Sequence, residues 1–262
     1  MSLQNFPLAS IQKVRTYIRN SLSTDKLKID QGVGSITDDV PEPESIDALS
    51  GIFSFATPAL VDTTAVRGAE KWFVSTVNPA APLLKLPGLS LKPGFRLVSY
   101  LYRTPGHGAG IVWALPEALS TIDQLELSLK GCDRIATVPQ PAGALEHFMD
   151  AIEGDRSPVS FMVASLLRRE LQEFGSLGDR HRWNQHELIA EVPDHGSWQW
   201  PADPPKNFLP KVRVSDNGQA ALEFFTCRRT APMTLYRHLD RYLAHQYRGD
   251  SLDKAVAVAR SD

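Results

Sequence analysis

The chain has 262 residues, 42% of them hydrophobic and 22% charged, with a formal net charge of −2. That composition supports a packed core and excludes wholesale disorder, and the near-neutral balance argues against a general nucleic-acid coat protein. The two cysteines, Cys132 and Cys227, form neither a disulfide framework nor a metal-ligand spacing, so a cytoplasmic location is expected. No apolar run reaches the roughly 18 residues that span a bilayer, and no secretory apolar region is visible.

Residues 1–24 lack acids and carry Lys13, Arg15 and Arg19, the composition of an organelle transit peptide. In the same stretch Ile11, Val14, Ile18 and Leu22 recur at three or four residues, which predicts a first helix packed on the body. Residues 29–66 contain seven acids and no Lys or Arg. Within them DDVPEPE (38–44) predicts an exposed acidic loop, and 30–66 is expected to be partly flexible. The loop would be a connector or a docking strip for a basic partner.

Strands are predicted in KWFVSTV (71–77), FRLVSYLY (95–102) and AGIVWAL (109–115), with a proline-rich surface segment over 78–94. Gly106, Gly108 and Gly110 fall between two strand-like runs. A dinucleotide cradle needs G-x-G-x-x-G between a strand and a helix, so a hairpin loop is the expected reading, with His107 and Arg103 beside it. Apolar spacing predicts helices over 116–129, 142–152 and 157–174. The last has Ser157 as cap, Pro158 at its first position and Gly175 beyond its end. Arg169 and Glu173 would pair on its outer side, and Arg168 and Arg169, about 100° apart, would not form one clamp.

Residues 176–210 look irregular, Asn217-Gly218 predicts a hairpin, and a final helix is expected over 232–247 with a frayed tail after Gly249. The fold class expected is α+β: a mainly antiparallel sheet with hairpins, packed by several amphipathic helices. A single domain over 1–262 is expected, with a possible sub-boundary at 139–141.

P-loop, H-E-x-x-H, G-x-S-x-G and C-x-x-C motifs are absent. The densest polar run, residues 179–196, holds His181, His186 and His195, but their spacing does not suit a metal, and neither metal nor cofactor is expected. These histidines, with Arg103 and His107, are the ligand-binding candidates. Trp198 and Trp200 alternate and would form either a recognition pair or a lid on the core. On a helix His238, Arg241, His245 and Arg248 would line one basic face, a candidate interaction surface.

The run DRSPVSFMVASLLRRELQEFG (155–175), with GAGIVWALP (108–116) before it, resembles uncharacterised proteins of photosynthetic bacteria. The resemblance covers about the middle half of the chain and implies no activity. The expected function is a non-catalytic regulatory or scaffold protein that binds a protein partner. The alternative is a small-ligand binder or enzyme with a site near 179–196. Nucleic acid is not the expected partner.

Overall fold

The computed structural model describes residues 2–23, 71–178, 182–194 and 197–260. The acidic stretch at 30–66, His181 and His195 lie outside them. In chain order the elements are β1 (Ser2–Asn5), α1 (Leu8–Ser21), β2 (Trp72–Val74), β3 (Leu89–Leu91), β4 (Phe95–Thr104), β5 (His107–Pro116), α2 (Ile122–Leu127), β6 (Ile152–Gly154) and α3 (Pro158–Gln172). There follow β7 (His186–Ile189), β8 (Trp198–Gln199), β9 (Lys211–Val214), β10 (Ala220–Arg228), β11 (Thr234–Tyr242) and β12 (Gly249–Ala259). The strands pair antiparallel throughout. A large sheet runs β1-β9-β10-β11-β12-β8, with β7 also on β10; smaller sheets are β2-β4-β5 and β3-β6. The mainly antiparallel α+β expectation holds. Among the described residues there are three α-helices, one of them only six residues long.

The hairpin of β4 and β5 is tighter than expected. Pro105 and Gly106 make the whole turn, and Gly106 has φ +78°, the left-handed conformation that follows proline in a type II turn. The glycines beyond it answer a packing demand. A Cβ on Gly110 would stand 2.1 Å from the Phe174 carbonyl oxygen, so β5 needs a bare backbone where the end of α3 crosses it.

α3 follows the predicted signals. Ser157 accepts a hydrogen bond from the Ser160 amide at 3.1 Å, Pro158 opens the helix and Gly175 turns the chain at φ +67°. Its surroundings differ from expectation: every residue from Ser160 to Leu171 is buried, the arginines included. The helix lies against α1, the face of the large sheet and β5, so it has almost no outer side. α1 brings Ile11, Ile18 and Leu22 into the same core, as its spacing predicts.

Three helices were expected where the chain does something else. Residues 116–129 hold a 3₁₀ turn (Glu117–Leu119) and the short α2, because Ser120 bonds back to the Glu117 carbonyl and interrupts the run. Residues 142–152 hold only a 3₁₀ turn (Phe148–Ala151) and the start of β6. The expected helix at 232–247 is β11, and the expected frayed tail is β12, an eleven-residue strand. Alternation decides it: Thr234, Tyr236, His238, Asp240 and Tyr242 share one face of β11, which α3 requires to be filled.

Candidate functional site

On the α3 side of the large sheet a continuous polar seam runs from α1 to the outer strand β12. Asp240 of β11 is its centre and is fully buried. Arg169 grips both of its oxygens, Nη1 to Oδ2 at 2.6 Å and Nη2 to Oδ1 at 2.9 Å. Arg168 approaches at 3.2 Å, and Ser165 and Ser251 donate their hydroxyls to the same carboxylate. Burial alone would raise the Asp240 pKa. The charge and hydrogen bonds of Arg169, with the charge of Arg168, hold it well below the usual carboxylate range. The two arginines therefore do act on one carboxylate, contrary to expectation. Both reach the sheet from neighbouring positions of α3, and their long side chains converge although they leave the helix about 100° apart. Arg169 does not pair with Glu173, whose Oε1 accepts the Trp183 amide.

A second line of contacts links Asp240's neighbours. His238 Nδ1 lies 2.7 Å from Asp253 Oδ1, and Arg169 reaches the same oxygen at 3.1 Å. Thr226 Oγ1 sits 2.8 Å from His238 Nε2 and 2.8 Å from His186 Nδ1. One hydroxyl proton can serve only one ring. With His238 donating to the Asp253 carboxylate, its Nε2 is the acceptor. Thr226 must then donate to His238 and accept from His186, so all three bonds run the same way towards Asp253. Burial keeps both imidazoles neutral near pH 7. It lowers the His238 pKa against the pull of Asp253, and it lowers His186 to about 4, helped by His238, Arg15 and Arg228. Burial opposes ionisation of Asp253, but His238 and Arg169 hold its pKa at about 2.

The inner end of the seam is Glu170. It accepts from Arg15 Nε at 2.7 Å, Trp183 Nε1 at 2.8 Å and Arg19 Nε at 3.1 Å. Arg15 also binds the carbonyls of His186 and Trp183, so α1, α3 and β7 are tied together here.

The outer end is β12. Nine residues of β11 pair with it along one side. Along the other side β8 covers only Val258 and Ala259, so residues 249–255 form an open strand edge among the described residues. Asp253 and Ser251 point back into the seam, while Asp250, Leu252 and Lys254 lie on the opposite face and are exposed.

The residues singled out from the sequence separate widely. Arg103 donates to the carbonyls of Gly175 and Tyr102 and so closes the end of α3 on the hairpin. His107 is exposed at the hairpin turn, and His186 is in the seam. Trp198 and Trp200 are half-buried against Phe208, Phe225 and Leu235, and serve as a lid on that cluster. His238, Arg241, His245 and Arg248 do not form one stripe, because their segment is a strand and a turn. His238 is buried, Arg241 is exposed on β11, His245 sits in the turn at φ +66°, and Arg248 binds Glu146 and Asp150. Sequence reading missed Thr226, Asp240, Ser251 and Asp253; the alternating KAVAVA at 254–259 was the one signal for β12.

No group of three or more metal-ligating side chains occurs among the described residues, and none of their helices is long and apolar enough to cross a membrane. No protein family, no curated protein and no solved structure matches the chain.

Proposed function

We propose that this protein works by binding protein chains, and that the open edge of β12 is where they dock. The observation that carries this reading is a strand paired with nine residues of β11 on one side and open, among the described residues, over 249–255 on the other. An open edge presents a row of unpaired backbone donors and acceptors, and an extended segment of another chain satisfies them by adding a strand. Seven residues at about 3.3 Å each give an edge on the order of 23 Å.

The seam supports this role. An outer strand with exposed residues should fray, but Ser251 and Asp253 are tied to Arg168, Arg169 and His238. The edge is therefore held straight before a partner arrives, which lowers the ordering cost of binding. The buried free thiols of Cys132 and Cys227 suit the reducing cytoplasm where we place this activity.

Photo-cross-linking from Leu252 and from Lys254, in the protein's own cells, tests the reading. Leu84 and Leu127, both exposed elsewhere, serve as controls. Strand addition requires one partner for both β12 positions, absent from the controls, with its attachment sites two residues apart. No adduct, the same adducts from all four positions, or attachment sites without that spacing would overturn it.

A further inference from the structure

We propose that the strand β12 receives is β12 of a second copy, antiparallel across a two-fold axis at Leu252. This rests on the strand-addition reading above. In an antiparallel pair, residues directly opposite one another share a face of the sheet. A two-fold axis between identical strands must therefore pass through a residue, because an axis between two residues would set opposite faces against each other. Within the open edge three centres merit comparison. An axis at Asp253 sets that carboxylate against itself. An axis at Ser251 sets Asp250 against Leu252. An axis at Leu252 sets Asp250 against Lys254 twice, Leu252 against Leu252 and Ser251 against Asp253, and it uses all of residues 249–255.

The charges around the edge favour the same register. Lys254 stands opposite Arg237 on β11, a like charge, and Arg237 is drawn to Glu223 at 2.7 Å. Lys254 and Asp250 have no ion pair among the described residues. An incoming Asp250 beside Lys254 supplies the missing acid and also lies near Arg237. Leu252, 59% exposed and opposite Leu239, would be covered by its own counterpart. A two-fold axis uses the same edge of both copies, so the pairing closes as a dimer. The opposite border of the sheet, β1, has only four residues.

Sedimentation equilibrium of the full chain over a range of concentrations tests this, with charge reversals on the exposed face. Asp250→Lys or Lys254→Asp alone turns two attractive pairs into repulsive ones and should weaken the dimer at least about tenfold. The double reversal should restore it. So should mixing the two single variants in equal amounts, because their charges then complement each other. Both residues are exposed, and circular dichroism confirms that each variant folds. As an independent readout, Leu252→Cys should give a disulfide-linked dimer on mild oxidation, the native cysteines being buried. A monomer at every concentration, or a dimer indifferent to both reversals, overturns the proposal. A monomer whose β12 cross-links to a different chain with two-residue spacing overturns self-pairing and leaves strand addition standing; absence of any β12 adduct removes both.

Discussion

Both faces of the large sheet carry an apolar cluster, but only the one towards α3 adds a buried polar seam. Towards α3, β10–β12 present Thr226, His238, Asp240, Ser251 and Asp253, joined in a charged and hydrogen-bonded seam. On the other face Phe225, Cys227, Leu235 and Ala257 meet Ile189 and Phe208 in an apolar cluster, with the Phe208 and Phe225 rings 4.7 Å apart. The apolar face draws its stability from burial and tolerates small shifts of its neighbours. The seam costs desolvation and gains alignment: Asp240 is satisfied only when α3, β11 and β12 stand in one register. Apolar burial packs both faces of the sheet, and the polar contacts decide where β12 lies.

The comparison is broken most severely by Asp240→Ala. It leaves Arg169 buried without its main partner, and a loss of about 3–5 kcal/mol in urea unfolding is expected. Replacing Arg169 with Met and Asp240 with Leu together should recover a large part of that loss, which would mark the seam as a device for position more than for stability. On the other face Leu235→Ala should cost about 3 kcal/mol through transfer and cavity terms. Only the seam variant should also raise amide exchange along residues 249–255, because only the seam holds the edge.

A smaller effect separates the faces by pH. The folded pKa values of His186 and His238 are lowered, so the unfolded chain binds protons first as the solution is acidified. Their contribution is present above about pH 6.5 and is lost as pH falls below it, for His186 towards 4. For the half-open ring of His186 the loss is on the order of 1 kcal/mol after allowance for solvent screening. His186→Gln should flatten unfolding midpoints measured between pH 7 and 4.5. The depressed carboxylates, Asp240 and Asp253, act in a lower window, losing their contribution as pH falls below about 3.9.

Local signals were legible in the sequence wherever one element determines its own shape. Ser157, Pro158 and Gly175 marked both ends of α3, Asn217-Gly218 marked the turn between β9 and β10, and the spacing of Ile11, Ile18 and Leu22 marked α1. The candidate site was much less legible. His186 and His238 were named, but for a loop cluster and a helical stripe, whereas the structure joins them through Thr226. Residues 234–242 carry leucine, arginine and tyrosine, which suit helix and strand alike, and neither Gly nor Pro interrupts them. Pairing with β10 along nine positions settled that ambiguity.

The sequence by itself determined the antiparallel hairpins, the central helix and the scarcity of recognisable catalytic motifs, because turns, caps and motif spacings are contained in a few adjacent residues. Tertiary structure alone decided that Arg168 and Arg169 share Asp240, that the glycines of β5 admit the end of α3, and that the C-terminal segment is an edge strand. Arg169 and Asp240 are far apart in the chain, and their pairing depends on how a helix is seated on a sheet. Short-range periodicity carries no information about that seating.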